Sequence, residues 1–335
     1  MRITVILCTY NRCQSLARAL DSVAASKMPE STEWEVLVVD NNSKDQTRAA
    51  TERFCQMYPG RFRYIFESKQ GKSNALNTGI REARGEILAF MDDDVVVEPT
   101  WLQNLTASLT DGKLAGVGGR ILSQDLVSAP RWLALEGEYS LGGMLALFDL
   151  GGDTRELDTP PFGTNMAFRK PIFEKYGGFR TDMGPCPGSE IRNEDTEFGR
   201  RVMAAGEHLR YEPSAIVYHA VPPERLEQSY LLRFWFDHGR AGIRERGLRP
   251  DLLGIPRFVF ALPKIAVTTL PSRTISWIFA LDPKRRFFCK GAVWMTFGQM
   301  VEMPRLWFAN RKRPQAGASE YGQEHRPFPI SRNID

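Results

Sequence analysis

The sequence predicts an α/β fold, a mostly parallel sheet flanked by helices, with a helical C-terminal extension. Three observations predict it. Strand-like and helix-like runs alternate through the first 120 residues, and such alternation builds a parallel sheet with helices on both faces. An apolar run from Ile87 to Met91 ends in three aspartates, Asp92, Asp93 and Asp94; sheets of this kind bind ligands at the carboxyl ends of their strands. After Pro222 the alternation stops and the chain turns basic and aromatic.

The elements follow in order. Ile3–Cys8 is a β-rich first strand, and Gln14–Ala25 places Leu16, Ala19, Leu20 and Val23 at helical spacing. Glu35–Val39 reads as a buried strand, Thr47–Met57 as a helix, Phe62–Phe66 as a strand, Lys72–Ala83 as a helix and Glu86–Met91 as a fourth strand. Residues 120–192 are richer in Gly and Pro, with a loop at Gly151–Pro161, a turn at Gly163, Thr164 and Asn165, and a Gly/Pro stretch at Gly177–Ser189. Glu194–Ala205 reads as a helix with Asn193 as its N-cap and acids in its first turn. Ala215–Tyr218 reads as a late strand ending at His219, and Leu226–Arg246 as a helix. Residues 1–221 are expected to form the α/β domain, 222–314 a mainly helical region, and 315–335 a disordered tail.

Net charge and cysteines narrow the class. From Pro222 onward 19 Lys and Arg face 10 Asp and Glu, whereas residues 1–221 carry 25 and 30. That asymmetry implies an anionic partner, such as a membrane surface, or else a solvated basic face. Five cysteines without a Cys-x-x-Cys pair fit reduced thiols in a cytoplasmic protein. The N-terminal apolar run is too short for a signal peptide. Prolines and charges interrupt residues 255–281, so no transmembrane span is expected and interfacial helices are.

The acidic triplet carries the chemistry. Strand alternation predicts that Asp92 and Asp94 point to one side and Asp93 to the other. Two convergent carboxylates without a basic residue beside them in sequence make a hard-oxygen site for Mg²⁺ or Mn²⁺ holding a phosphate; a solvated acidic loop is the alternative. Neither a Gly-x-Gly-x-x-Gly nor a Gly-x-x-x-x-Gly-Lys-Ser/Thr motif is present, which argues against dinucleotide oxidoreductases and P-loop enzymes. Asp40 ends the second strand, where it can accept hydrogen bonds from a nucleoside or close an Asx turn.

Seven pieces then occur in order. They are Thr9-Tyr10-Asn11-Arg12; Val38-Val39-Asp40-Asn41-Asn42-Ser43 with Asp45; Gly71-Lys72-Ser73-Asn74-Ala75-Leu76-Asn77-Thr78-Gly79; Ala83-Arg84-Gly85-Glu86 leading to Asp92-Asp93-Asp94; Gly163-Thr164-Asn165-Met166-Ala167-Phe168-Arg169; Gly177-Gly178-Phe179; and Asn193-Glu194-Asp195. Over roughly residues 2–240 the chain resembles family-2 glycosyltransferases, inverting enzymes with the Rossmann-like GT-A nucleotide-sugar fold, of the kind that build bacterial surface glycans.

The resemblance implies roles. Thr9, Tyr10, Asn11, Arg12, Asp40, Lys72, Asn77, Asp92 and Asp93 would bind a nucleoside-diphosphate sugar, UDP-linked by preference. Asp94 and Asp92, with His219, would hold a divalent cation, Mn²⁺ or Mg²⁺. Asp195 would be the general base, activating an acceptor hydroxyl, and Gly163, Thr164, Asn165 and Glu194 would line the acceptor site. The acceptor would be a glycan or lipid-linked glycan, reached from the cytoplasm, with peripheral attachment to the inner face of an anionic membrane and no nucleic-acid partner. A sugar nucleotidyltransferase and a non-catalytic nucleotide-sugar or polysaccharide-binding module are the competing classes.

Overall fold

The computed structural model describes residues 2–312 except Asp125, Val127, Ser128, Arg249 and Leu253; the tail expected from Gln315 lies outside the described residues. The chain opens with β1 (Arg2–Thr9), α1 (Cys13–Ala24), β2 (Glu33–Asp40), α2 (Thr47–Met57), β3 (Phe62–Phe66), α3 (Lys72–Glu82) and β4 (Ile87–Met91). These are the alternating elements read from sequence, shifted by a residue or two at their ends. After the acidic triplet come β5 (Val95–Val97), α4 (Trp101–Ala107) and β6 (Gly116–Leu122), and the region from 120 to 192 that reads as irregular contains β7 (Arg155–Glu156), β8 (Asn165–Arg169) and α5 (Lys170–Tyr176). Then come α6 (Glu194–Ala204) and β9 (Leu209–His219), and the helices α7 (Gln228–Arg246), α8 (Phe258–Lys264), α9 (Leu270–Phe279) and α10 (Pro283–Lys312).

Among the described residues the strands form one nine-stranded sheet, ordered β3-β2-β1-β4-β8-β6-β9-β5 with β7 beside β9. Its parallel character is concentrated in β3-β2-β1-β4. Beyond β4 the pairs β4–β8, β6–β8 and β5–β9 are antiparallel, and β6–β9 is parallel. The whole of β4 is buried, as is β1 apart from Arg2 and Cys8. Burial on both faces explains why these strands read as continuous apolar runs rather than alternating ones. Helix α1 covers one face with Leu16, Ala19, Leu20 and Val23. Phe168, Phe173, Phe179 and Phe198 stack on another part of the core. The consequence for function is positional: β1, β2 and β4 all deliver their carboxyl ends to one edge.

Helices α7 and α10 pack closely because glycines face the contact. A Cβ on Gly239 would lie 2.1 Å from the Met295 carbonyl oxygen, and one on Gly298 would lie 1.9 Å from that of Phe236. Trp235 is buried with Leu231, Leu232 and Phe287. Its ring has a packing partner in Phe288 at 5.3 Å. Glu302, buried in this helical layer, takes hydrogen bonds from Arg240 at 2.9 Å and Arg244 at 2.6 Å. Burial would raise its pKa, but the two guanidiniums lower it below the ordinary carboxylate range.

Candidate active site

The strand ends bring the acidic turn together with three cations distant in sequence. Asp92 accepts from Lys72 Nζ at 2.6 Å and from the Thr164 hydroxyl at 2.8 Å. Asp93 accepts from the Thr9 hydroxyl at 2.7 Å and from Arg12 Nη1 at 3.1 Å. Asp94 accepts from the same Arg12 nitrogen at 2.8 Å and from Arg225 Nη2 at 3.3 Å. The predicted alternation therefore fails: β4 ends at Met91 and residues 93–94 form a turn, so Asp93 and Asp94 share Arg12 while Asp92 faces Lys72. The triplet also does not lack neutralising cations; they come from α3, from the β1–α1 loop and from the segment after β9.

These pairings set the charges. Burial would raise the Asp94 pKa, but the His219 hydrogen bond and the charges of His219, Arg12 and Arg225 hold it well below the usual range. Burial likewise opposes ionisation of Asp92, and Lys72 reverses that. Asp93 differs: burial raises it to about 6, with Arg12 opposing and Asp94 adding to the rise. Burial would lower the pKa of Lys72, and the charges of Asp92, Glu194 and Asp195 raise it instead.

One corner of this turn holds two side chains that could ligate a metal ion. His219 Nε2 is 3.6 Å from Asp94 Oδ1, and its Nδ1 is a buried nitrogen with no hydrogen-bond partner among the described residues. Among the described residues no group of three or more His, Cys, Asp or Glu side chains converges to hold a metal. Two protein ligands match the habit of Mg²⁺ and Mn²⁺ of taking their remaining oxygens from phosphate and water. Both Asp92 oxygens accept hydrogen bonds, from Lys72 and Thr164, and Asp94 Oδ2 accepts from Arg12 and Arg225, so of the expected ligands Asp92, Asp94 and His219 it is Asp94 Oδ1 that faces the imidazole.

Asp195 stands in the first turn of α6. Its Oδ2 accepts the Gly163 N–H at 2.6 Å, and its Oδ1 accepts the Thr196 N–H at 2.7 Å. Gly163 is required by this approach, since a Cβ there would sit 3.1 Å from Asp195 Oδ2. Asn193 does occupy the N-cap position, but with φ 77° and no side-chain capping bond. Its amide instead lies 3.2 Å from His238 Nδ1. Glu194 points inward, 3.6 Å from Lys72 Nζ. Burial and the neighbouring Asp195 raise its pKa to about 7 despite the opposing Lys72 charge.

Other expected contact residues are structurally engaged. Asn165 is fully buried, accepting from Trp101 Nε1 at 2.8 Å and donating to the Arg120 and Ala215 carbonyls. It locks strands together and has no group left for an acceptor. Asn77 holds the backbone N–H and carbonyl of Phe179, both at 2.8 Å, so it shapes the wall with one amide hydrogen and one oxygen lone pair engaged. Asp40 accepts from the Ser43 N–H, three residues on, at 2.9 Å and from the Tyr64 hydroxyl at 2.8 Å, so it ties its own turn to β3. Tyr10 and Asn11 are exposed on the β1–α1 loop, where Asn11 adopts φ 53°.

Sequence reasoning missed Arg225, Asn41 and the anchoring role of Asp45. Arg225 lies outside every motif, six residues after His219, and its approaches to His219 Nε2 at 3.0 Å and Asp94 Oδ2 at 3.3 Å reveal it. Asn41 ties the end of β2 to the next loop through Gly71, Glu67 and Lys69. Burial would raise the Asp45 pKa, but the Thr47 hydroxyl and the Cys13 and Thr47 N–H groups that it accepts bring it down to about 2.

The comparisons agree with this geometry. The profile of "Glycosyl transferase family 2" matches residues 4–177, more than half of the chain.

The chain belongs to glycosyl transferase family 2.

This transferase is 28% identical over 221 residues to glycosyltransferase AglE of Haloferax volcanii, covering 66% of this chain and 67% of that protein. It is 29% identical over 241 residues to succinoglycan biosynthesis protein ExoM of Rhizobium meliloti, covering 72% and 74%. The fold is that of mannosyltransferase PcManGT from Pyrobaculum calidifontis, solved with GDP-Man and Mn²⁺. The TM-score is 0.55 at 20% identity, with 93% of this chain and 87% of that one covered. GalNAc-T7, solved with UDP, GalNAc and Mn²⁺, gives 0.52 at 16% identity, covering 71% and 47%. The transferase thus has a GT-A fold.

Proposed function

We propose that this transferase moves a sugar from a nucleoside-diphosphate sugar, UDP-linked by preference, to a hydroxyl of a glycan or lipid-linked glycan, with inversion. The observation that carries the reading is the placement of Asp195. Two backbone N–H groups hold its carboxylate at the head of α6, where the helix dipole favours the ionised form. The adjacent residues Gly163 and Thr164 tie Asp195 and Asp92 to one strand entry. Asp195 takes the proton of the acceptor hydroxyl as its oxygen attacks the anomeric carbon.

The donor's nucleoside would lie over Thr9, the Tyr10–Arg12 loop and Asp40. Its diphosphate would face Arg12, Lys72 and Arg225, whose guanidinium and ammonium groups already gather at the acidic turn. Asp94 and His219 would hold Mn²⁺ or Mg²⁺, which neutralises charge on a departing diphosphate. Complexes of fold relatives with GDP-Man and with UDP, each with Mn²⁺, support a nucleotide-sugar donor and a divalent cation. The succinoglycan relative supports an acceptor in surface polysaccharide synthesis. A lipid-linked acceptor gives the transferase an anionic membrane face, at the inner side of the cell membrane, as a further partner.

A thermal-shift panel tests the donor. Ligand binding to the native state raises its stability by mass action, so one nucleotide class should raise the melting temperature, and more so with Mn²⁺. No shift with UDP, GDP or dTDP compounds would reject the reading.

A further inference from the structure

We propose that the outer face of α8, the π-turn after it and α9 inserts into the interface of an anionic bilayer. Outside this region the described residues expose nine large apolar side chains, scattered over Tyr10, the end of α2, Phe66, the segment before α8, and α10. Within it, Val259, Phe260, Val267, Ile275, Ile278, Phe279 and Leu281 are all exposed, Val267 and Phe279 at 75% and Leu281 at 97%. Seven such side chains between Val259 and Leu281 mark an interaction surface. The helices that carry it are fixed in place. Arg273 on α9 donates to the Thr296 hydroxyl at 2.7 Å and the Ala292 carbonyl at 3.1 Å on α10. Trp277 meets Trp294 edge-on at 6.5 Å, with Lys290 over both rings. With the inner side of α9 used on α10, its apolar side remains outward.

Charge selects the occupant. Between Ile255 and Lys290 the chain has seven basic residues and one acid, Asp282. Arg257, Lys264, Lys284, Arg285 and Arg286 are exposed around the apolar side chains. An apolar face rimmed by cations fits a bilayer interface with anionic headgroups. A second copy fits worse, because a two-fold contact sets the same patch against itself and brings the basic rims together. Among the described residues no helix is long and apolar enough to cross a membrane, so the helices would lie in the interface plane. The inference rests on the proposed function only in giving the transferase a lipid-linked acceptor to reach.

Co-sedimentation of the full chain with phosphatidylcholine vesicles, with and without phosphatidylglycerol, tests the proposal. A second readout is quenching of tryptophan fluorescence by brominated acyl chains. The wild type should bind the mixed vesicles and be quenched. Ile278→Ser with Phe279→Ser removes exposed side chains, so folding should survive, checked by circular dichroism; binding should fall at least about tenfold and quenching should vanish. Neutralising Lys284, Arg285 and Arg286 to Gln should weaken binding and its salt sensitivity. Binding without quenching, indifference to the serine pair, no binding at low salt, or a dimer that the serine pair dissociates would each overturn the proposal. Donor turnover in solution should be unchanged in both variants. A wild type that binds vesicles but turns over no nucleotide sugar would sink the catalytic reading and leave the docking face standing.

Discussion

His219 Nε2 lies 3.6 Å from Asp94 Oδ1, and sheet register sets that spacing, because Val95 faces His219 in the β5–β9 ladder. The residue after the acidic turn and the last residue of β9 are thus locked in one antiparallel pair. Arg225 completes the arrangement, 3.0 Å from His219 Nε2 and 3.3 Å from Asp94 Oδ2. In the proposed reaction this carboxylate and imidazole nitrogen would be the two protein ligands of the cation, and Arg225, which here donates toward the same nitrogen, would turn to the diphosphate.

The first prediction follows from that pair. Asp94→Ala should abolish turnover and metal-dependent donor binding, with the circular dichroism spectrum intact. His219→Ala should weaken Mn²⁺ binding, read by electron paramagnetic resonance, by at least the roughly 10–100-fold that loss of a supporting residue costs. Full activity in excess chelator would refute both.

Asp195→Asn keeps the shape of the side chain and removes the proton acceptor. The expected loss in kcat is about 10²–10⁴-fold, with donor affinity by calorimetry close to wild type. An asparagine variant that transfers sugar at the wild-type rate would move the base elsewhere.

Glu194 predicts a pH signature in stability. Its folded pKa, raised to about 7 by burial, lies above the unfolded value, so the native state binds the proton more tightly. Its contribution is full below about pH 4.5 and is lost as pH rises through about 7, by on the order of 3 kcal/mol. Glu194→Gln cannot titrate, so the decline in melting temperature across that window should flatten in the variant. Parallel curves for the two proteins would show that Glu194 ionises normally.

Asn165 should behave as a structural residue. Asn165→Ala leaves the buried Trp101 N–H and two carbonyls without their partner, each worth about 1–3 kcal/mol. Denaturant unfolding should show a loss of several kcal/mol, while the variant at low temperature keeps the donor KM. A stable variant with a raised acceptor KM would restore the acceptor role.

The parallel half of the fold was legible because β1, β2 and β4 are buried on both faces and α1 shows a clean apolar stripe. The antiparallel half was not. β6 begins Gly-Val-Gly-Gly, and its glycines give no strand signal although they admit Phe168, Pro161 and Asn165 against the backbone. At the site, motif order located the acidic turn and Asp195, since local chemistry at strand ends and helix starts is written in contiguous residues. What no contiguous pattern could show is who neutralises whom. Lys72 reaches Asp92 across the sheet edge, Arg225 reaches Asp94 from beyond β9, and the turn after Met91 breaks the alternation that would have paired Asp92 with Asp94.

Release of nucleoside diphosphate tests the central claim most directly. The chain is incubated with UDP-, GDP- and dTDP-sugars in Mn²⁺, with and without chelator, beside the Asp195→Asn variant. The account predicts that at least one donor yields its nucleoside diphosphate, that chelator stops the release, and that the variant is slower by about 10²-fold or more. Pyrophosphate released from a nucleoside triphosphate, with no diphosphate from any sugar donor, would point to a nucleotidyltransferase; no product at all would point to a binding module; either result would contradict the account.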